Sequence, residues 1–397
     1  MLQNPQYRWF LGSWATASTG YSVFAISVIW LALQVSHSFL VVGLVLGVER
    51  AAYCATFLVA PLADRVRNQR TIFVVSFPVQ ALCAAFLGWS ALTGSLGVAE
   101  LIGFVAVLSV LWDLSWAAAN AAPGILLSAD DQFAGTGAEG LLGGLNSIVG
   151  FAAGGGLVLL VGAGGGMILF AGLLGLATLL ALPLRISSSG PRDASFWSGL
   201  RRGWATVVAG PGRPLLQLGA VDAVEGFVSV APILLLALVA VRLFQGSAEA
   251  YALLFVAYVV GGVLAGLLFA HWNPRGRVGG VIVGTLLVGA LTLLLVEWEP
   301  AVLALAVGVW FAVGFVQSAY QDAKYAFLRG AVPSDQLGRV VSNLYVFPGV
   351  ASTLGAVAIG ALALAVPGLS LAGWLAIILV GAGILAVILP GVRRLSF

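Results

Sequence analysis

The chain has 397 residues, of which 61% are hydrophobic and only 8% are charged. Soluble domains carry about 25% charged residues, so this chain cannot cover a water-exposed surface of its own size. Its apolar runs continue for roughly 18 residues or more without the alternation of a β-barrel strand. The composition therefore excludes soluble enzymes, disordered chains and disulfide scaffolds, and it indicates an all-α membrane protein with many spans.

Twelve apolar runs, separated by polar and turn-forming residues, predict twelve transmembrane helices, which we number as spans 1 to 12. Spans 1 to 6 cover residues 9–34, 39–63, 71–93, 98–121, 140–162 and 165–185. Spans 7 to 12 cover residues 214–241, 248–271, 278–296, 300–323, 339–366 and 369–390. Because this number is even, both termini are expected on the same side of the membrane.

The basic residues indicate which side that is, since Lys and Arg are enriched in the loops that remain in the cytoplasm. With the N-terminus inside, all 18 Lys and Arg residues except Arg50 and Arg242 fall on the cytoplasmic side. This sidedness, and not nucleic-acid binding, accounts for the net charge of +3. We predict a multi-pass protein of the plasma (inner) membrane with both termini in the cytoplasm.

The longest cytoplasmic connection divides the spans into two sets of six. It begins with a Ser/Gly/Pro-rich stretch, and Trp197, Leu200 and Trp204 follow at the spacing of an amphipathic helix on the inner leaflet. The predicted organisation is an N-terminal six-helix bundle at 1–186, a cytoplasmic linker with an amphipathic helix at 187–213, and a C-terminal six-helix bundle at 214–397.

The two halves are similar where polar residues mark the register. Asp-Gln-Phe-Ala begins at Asp131 before span 5, and Asp-Gln-Leu-Gly begins at Asp335 before span 11. The distance along the sequence from Asp131 to Asp335 also aligns three residues of span 4 with three at the end of span 10: Asp113 with Gln317, Trp116 with Tyr320, and Asn120 with Lys324. Shared loop composition is one explanation. Duplication of a six-helix unit, as in transporters with pseudo-symmetric bundles, is the explanation we favour.

One cytoplasmic loop carries a recognisable motif. Residues 60–70 read Ala-Pro-Leu-Ala-Asp-Arg-Val-Arg-Asn-Gln-Arg, which resembles the Gly-x-Leu-Ala-Asp-Arg hallmark of the major facilitator superfamily. Residues 332–340, Val-Pro-Ser-Asp-Gln-Leu-Gly-Arg-Val, are similar to a segment of its siderophore and macrolide exporter branch. The sequence departs from the pattern at Ala60, where the hallmark has Gly, and at Tyr21, where the branch often has an acid.

The resemblance implies a secondary transporter that works by alternating access, and it also implies export. It further implies that Asp64, Arg65 and Arg339 form a gate at the cytoplasmic side. Asp64 would accept hydrogen bonds there from a helix N-terminus or an arginine. The alternative is that the arginines of this loop only anchor the topology.

Ionisable side chains inside the spans are costly, so each of them indicates a partner, water or a function. Those we single out are Glu49 and Arg50 in span 2, Asp113 in span 4, and Asp222 and Glu225 in span 7. Asp222 and Glu225 share a helical face, and two neighbouring carboxylates cannot both ionise cheaply in a low dielectric. They are candidate proton carriers, with Glu49. Alternatively, one acid only pairs with a cation such as Lys324 or Arg50 and holds the bundle together. Arg50 and Asp113 are also assigned to the proton-coupling cavity, where they could pair, and the alternative for them is a static structural pair.

Polar residues follow one face of spans 4 and 10, and span 1 is similarly polar. The predicted substrate cavity is lined by residues from these spans: Tyr21, Trp116, Asn120, Gln317, Tyr320 and Gln321. Spans 3, 6, 9 and 12, in contrast, have almost no strongly polar side chains. This period of three predicts that spans 1, 4, 7 and 10 line a central cavity and that spans 3, 6, 9 and 12 face lipid.

The sequence thus predicts a secondary active transporter that exports an organic or amphiphilic small molecule by proton-coupled antiport. We expect a monomer in the lipid bilayer that acts on a small-molecule substrate and protons, without cofactor, metal or nucleic acid. One alternative is an uptake or facilitated-diffusion carrier without proton coupling. A membrane-embedded enzyme or receptor is another, although no zinc motif or nucleophile elbow occurs.

Overall fold

The computed structural model describes residues 4–54, 66, 68–127, 129–186, 204, 207–208, 213–271, 277–298, 302–332, 340–341, 343–366 and 370–393. In chain order the helices are α1 (Pro5–Ser36), α2 (Phe39–Cys54), α3 (Arg70–Leu92), α4 (Val98–Leu126), α5 (Ala129–Ala181), α6 (Arg213–Ser229), α7 (Ala231–Arg242), α8 (Ala248–His271), α9 (Val278–Glu297), α10 (Leu303–Ala331), α11 (Val346–Ala365), α12 (Ser370–Ile388) and α13 (Pro390–Arg393). Within the described ranges, 10 helices are long and apolar enough to cross a membrane. The predicted all-α membrane fold is confirmed.

The break within α5 agrees with the predicted boundary between spans 5 and 6, whereas the prediction of span 7 misses an interruption. Spans 5 and 6 are consecutive parts of α5, which is interrupted at Gly162, where a φ of 76° requires the conformational freedom of glycine. Span 7 is interrupted at Val230, between α6 and α7 and just before Pro232, although Pro214–Arg242 as a whole is one of the helices long enough to cross a membrane. Proline has no backbone N–H and its ring crowds the preceding turn, which explains the interruption.

Contacts divide the chain into two compact units. Unit 1 contains Met1–His37 and Leu58–Asp193, and unit 2 contains Ser38–Phe57 and Ala194–Phe397. By contacts, therefore, α2 groups with the helices of the second half of the chain. The predicted bundles at 1–186 and 214–397 refer to the duplicated halves and stay a prediction. Most of the predicted linker lies outside the described residues.

In unit 1, α5 packs against α1 and α3 through glycines. A Cβ on Gly150 would lie 2.5 Å from the carbonyl oxygen of Thr19 on α1, and a Cβ on Gly154 would lie 2.6 Å from Ile26. Such small residues let membrane helices approach closely. Helix packing therefore accounts for these two glycines.

In unit 2, α11 packs on both α2 and α6, and α8 packs on α10. Glycines again mark the close approaches: a Cβ on Gly43 of α2 would lie 2.5 Å from the carbonyl oxygen of Ala356, and a Cβ on Gly226 would lie 2.7 Å from Pro348. The tight contact of α2 with α11 explains why α2 groups with unit 2.

Large apolar side chains are exposed along the helices that the sequence predicts to face lipid. Examples are Leu82 on α3, Leu179 on the second part of α5, Leu291 on α9 and Ile377 on α12, which are between 56% and 72% exposed. Extended apolar surface of this kind is rare on soluble monomers. These faces are therefore suited to lipid acyl chains.

Hydrogen bonds tie together helix ends that the predicted topology places on the same side. In unit 1, Asn4 Nδ2 donates to the Leu126 carbonyl at 2.7 Å, which joins the start of α1 to the end of α4. In unit 2, the Gly391 N–H donates to Gln217 Oε1 at 2.7 Å, which joins α13 to the beginning of α6. These contacts agree with the predicted opposite directions of α1 and α4 and of α6 and α12, while the cytoplasmic location of the termini stays a prediction.

Candidate functional site

A buried ion pair lies at the centre of unit 2. The Nζ of Lys324 on α10 is 3.4 Å from Asp222 Oδ2 on α6. The hydroxyl of Tyr320, one turn before Lys324, donates to Asp222 Oδ1 at 2.5 Å. All three residues are at most 3% exposed. Asp222 is thus compensated by a cation and a hydrogen-bond donor, which a buried carboxylate requires.

Aromatic rings surround the ammonium group of Lys324. Its Nζ lies 5.6 Å from the ring centre of Tyr320, 6.0 Å from that of Tyr325 and 5.7 Å from that of Tyr345. Ring faces attract cations at these distances. The ammonium group of Lys324 therefore lies near one carboxylate and three aromatic rings.

Glu225 lies one turn after Asp222 on α6 and has different surroundings. It is only 5% exposed, and its Oε2 has no hydrogen-bond partner among the described residues. Its charged neighbours are Lys324, Asp222 and Arg50, and the last of these reaches the cluster from α2. Glu225 is thus the acid of the cluster with unsatisfied hydrogen-bonding capacity.

A neutral hydrogen-bond chain lies beside this cluster. The Tyr258 hydroxyl on α8 donates to Gln317 Oε1 at 2.6 Å, and Gln317 Nε2 donates to the Ser229 carbonyl at 2.9 Å, where α6 ends. Tyr258 was not predicted from the sequence, where its only signal is a hydroxyl within a very apolar span. Neither was Asp322, a half-buried acid on α10 two residues before Lys324.

A cavity of about 50 Å³ in unit 2 opens onto Glu225. Its walls come from α6, α7, α9, α10 and α12. Most of the lining is aliphatic, and the polar side chains that line it are Glu225, Ser229, Thr285, Thr292, Gln317 and Tyr320. We call this space the side cavity. Every residue that lines it belongs to unit 2.

In unit 1, aromatic rings stack beside the acid of span 4. The ring of Trp112 stacks on Tyr21 at 4.1 Å between centroids and on Trp14 at 5.3 Å. Asp113 follows Trp112 directly and is 6% exposed. Trp14 and Trp112 were missed by the sequence analysis, because tryptophan is unremarkable in an apolar span.

The remaining predicted residues differ in their burial and in whether the structure describes them. Trp116, Gln321 and Glu49 are half-buried, whereas Asn120 is exposed and its Nδ2 donates to the Trp116 carbonyl on its own helix at 2.9 Å. Pairing of Arg50 with Asp113 stays a prediction, since these residues belong to different units. The predicted gate residues lie outside the described residues: Asp64, Arg65 and Arg339.

The structure thus brings together Arg50, Asp222, Glu225, Gln317 and Tyr320 in unit 2. Within the described ranges, no three His, Cys, Asp or Glu side chains form a group that could hold a metal ion. The cluster contains acids, a lysine and an arginine with hydroxyl and amide groups. These groups are suited to exchanging protons and to binding polar parts of an organic molecule.

Solved membrane transporters have the same fold. A mutant of the nucleoside transporter NupG aligns with a TM-score of 0.75 and 13% identity over 97% of this chain and 99% of that one. A POT family transporter in complex with 5-aminolevulinic acid has a TM-score of 0.75 and 11% identity, over 98% and 96% of the two chains. A bacterial homologue of the human lysosomal transporter Spinster has a TM-score of 0.69 and 16% identity, again over 98% and 96%.

No protein-family model matches the sequence, and no curated protein matches it either. At 11% to 16% identity, the similarity to the solved structures concerns the fold. It extends over nearly the whole length of each chain. The chain therefore has the fold of these solved membrane transporters.

Proposed function

We propose that the protein is a secondary active transporter that works by alternating access and exports an organic or amphiphilic small molecule in exchange for protons. The observation that carries this proposal is the buried cluster of Asp222, Glu225 and Lys324 inside a fold that solved transporters share. Ionisable groups at this depth in a membrane protein are expensive and mark ion or substrate pathways.

Glu225 is the proton carrier in this proposal. Asp222 already has Lys324 and Tyr320 as partners, so protonating it would leave a buried lysine without its counter-ion. Glu225 Oε2, in contrast, has no hydrogen-bond partner in the described part of the chain. Adding a proton to Glu225 neutralises an incompletely solvated carboxylate, and releasing that proton creates a charge that Lys324 and Arg50 attract.

The substrate is proposed to contact aromatic and amide groups, with Tyr21, Trp116 and Asn120 in unit 1 and Gln317, Tyr320 and Gln321 in unit 2. The stacked rings of unit 1 and the hydrogen-bonding side chains of unit 2 are suited to a molecule with both apolar and polar parts. We further propose a monomer in the plasma membrane with cytoplasmic termini, related to the siderophore and macrolide exporter branch.

The substrate is to be found first by a thermal-stability screen of the purified protein in detergent, because a ligand that binds the folded state raises the unfolding temperature. The first compounds are ethidium as an amphiphilic cation, a nucleoside, and 5-aminolevulinic acid. The last two are chosen because solved neighbours are named for them. A stabilising compound is then used in proteoliposomes that contain a pH-sensitive dye.

We expect the addition of this compound to dissipate an imposed pH gradient in proteoliposomes with the wild-type protein. The Glu225→Gln variant should remain folded and lose this coupling, whereas Glu249→Gln, at an exposed acid, should keep it. Transport without any proton movement would favour facilitated diffusion or uptake without proton coupling. If no solute moves at all, an enzyme or receptor becomes the better hypothesis.

The gate is a separate proposal. Asp64, with Arg65 and Arg339, is proposed to hold the cytoplasmic side closed by charge-assisted hydrogen bonds. We expect Asp64→Ala to reduce the turnover rate more than the affinity for the transported compound, as measured by the concentration dependence of transport. A change in affinity with an unchanged rate would contradict the gate.

A further inference from the structure

The side cavity has a polar stripe on a helix that the sequence predicts to be apolar. On α9, Thr285, Gly289 and Thr292 are spaced by four and three residues, so they share one helical face, and all three line the cavity. The opposite face carries the exposed Leu287 and Leu291. One face of α9 is thus directed towards lipid and the other towards Glu225.

The polar lining retains unused acceptors for hydrogen bonds. The Thr285 and Thr292 hydroxyls donate to carbonyls of their own helix, at 2.9 Å to Val281 and 2.8 Å to Gly289. A hydroxyl that donates its hydrogen still has lone pairs that accept hydrogen bonds from water. The Oε2 atom of Glu225 is a further acceptor in this wall.

The side cavity also has room for water. A cavity needs roughly 10–15 Å³ to hold one water molecule, and the side cavity, at about 50 Å³, exceeds this. Water therefore fits beside the unpartnered Oε2 of Glu225. The cavity lies near the middle of its helices, as shown by Gly289 within Val278–Glu297 and Gln317 within Leu303–Ala331.

We propose that the side cavity is a hydrated proton-access site that delivers protons to Glu225. The proposal rests on the proton-carrier role of Glu225 and adds a route to it within unit 2. In the release step, the O–H bond of the protonated Glu225 carboxyl breaks, its electron pair stays on the oxygen, and the proton passes to a water to form hydronium. Uptake is the reverse of this step.

The charges around Glu225 set the direction in which such a proton moves. Lys324 on α10 and Arg50 on α2 repel hydronium, and Asp222 attracts it. Tyr320 and Tyr258 contribute hydroxyls that are already used as donors. The cavity walls from α9 and α12 carry no charged side chain. Protons therefore reach Glu225 most easily from the uncharged α9 side.

The first test measures how fast the protonated Glu225 carboxyl exchanges its hydrogen for deuterium, by infrared spectroscopy of proteoliposomes at acidic pH. Its band is assigned by its loss in Glu225→Gln. We expect Gly289→Leu, which fills the cavity, to slow the exchange by about tenfold. The matched control is Gly284→Leu on the same helix, where a side chain would meet open space, and its exchange should stay at the wild-type rate.

The second test needs no large side chain in the cavity. Cys54 and Cys83 are first replaced by alanine, and Gly289→Cys or Gly284→Cys is then introduced and treated in proteoliposomes with a small cationic methanethiosulfonate. Thiols react as thiolates, which form where water is present. The Gly289→Cys variant is expected to react, and the Gly284→Cys variant is expected to stay largely unmodified.

Unchanged deuterium exchange in Gly289→Leu, or reaction at position 289 no faster than at 284, would overturn the side cavity as the route. The proposed function fails by a different measurement, namely the absence of pH-gradient coupling in the wild-type protein. Rapid exchange at Glu225 in a protein that shows no transport coupling would support the side cavity as the proton route. It would contradict the role of Glu225 as the proton carrier of a transport cycle.

Discussion

Helices α4 and α10 occupy equivalent positions in the proposed repeat, and each has 29 residues. Their polar side chains nevertheless bond differently. On α10, Gln317 donates to Ser229, and Tyr320 and Lys324 bind Asp222, so the polar face is tied to span 7. On α4, Asn120 bonds only to its own helix among the interactions described for it.

Under the proposed function, we interpret this difference as a division of labour between the units. Unit 2 contains a cluster whose charge changes when a proton binds. Unit 1 contains stacked rings, Trp14, Trp112 and Tyr21, whose surface is independent of pH. Aromatic faces attract organic molecules by dispersion and attract cations electrostatically. We infer that unit 2 is mainly responsible for coupling and unit 1 for contact with the apolar part of the substrate.

The largest effect is expected when the cation of unit 2 is removed. In Lys324→Met, Asp222 keeps its buried position and loses its counter-ion, which typically costs about 3–5 kcal/mol. We expect the free energy of unfolding in detergent to fall by this order, as measured by denaturant titration. The double variant with Asp222→Asn removes both charges and should recover most of the loss. If it does not, packing and not charge holds α6 to α10.

The sequence alone was sufficient to predict the helices and most of the cluster, for a simple physical reason. Apolar runs longer than a bilayer is thick have few alternatives to spanning it, and a charge inside such a run needs a partner. Asp222 and Glu225 stand out on that basis. Lys324 and Arg50 were both possible partners, and only the folded chain distinguishes the 3.4 Å pair of Lys324 with Asp222.

Features that depend on the packing of distant helices could not be predicted. Neither the partner of Tyr258 on α10 nor the grouping of α2 with unit 2 leaves a local signal in the chain. The stripe of Thr285, Gly289 and Thr292 does have helical spacing. It was overlooked because threonines that can bond their own helix are common in apolar spans.

A smaller effect is expected when the cluster loses one hydrogen bond but keeps its charges. Tyr320→Phe removes the donor to Asp222 Oδ1 and retains the ring near Lys324. A hydrogen bond to a charged group contributes about 1.5–3 kcal/mol, so the unfolding free energy should decrease by that amount. Tyr325→Phe is the matched control, since it also keeps its ring near Lys324, and it should change stability little. Equal losses in both variants would contradict the assignment of the hydrogen bond.

The aromatic stack of unit 1 provides the next test. Trp112→Leu keeps an apolar side chain but removes stacking on Tyr21 and Trp14, and each aromatic pair contributes about 0.5–1.5 kcal/mol beyond its buried area. We expect a comparable decrease in stability and a weaker affinity for the transported compound, with pH-gradient coupling retained. Trp89→Leu, at a 66% exposed position on α3, is the control. Loss of coupling in Trp112→Leu alone would contradict the division between the units.

The smallest effect is expected at Asn120, which the repeat aligns with Lys324. Its side chain is exposed and bonds to the Trp116 carbonyl of its own helix, so Asn120→Ala should change the unfolding free energy by less than about 0.5 kcal/mol. The aligned positions 120 and 324 would then differ several-fold in their contribution to the free energy of unfolding. The reason is that Lys324 joins two helices, whereas Asn120 bonds only to its own helix. A loss as large as that of Lys324→Met would show that unit 1 also contains an essential polar network, and the two units would then have to be regarded as functionally symmetric.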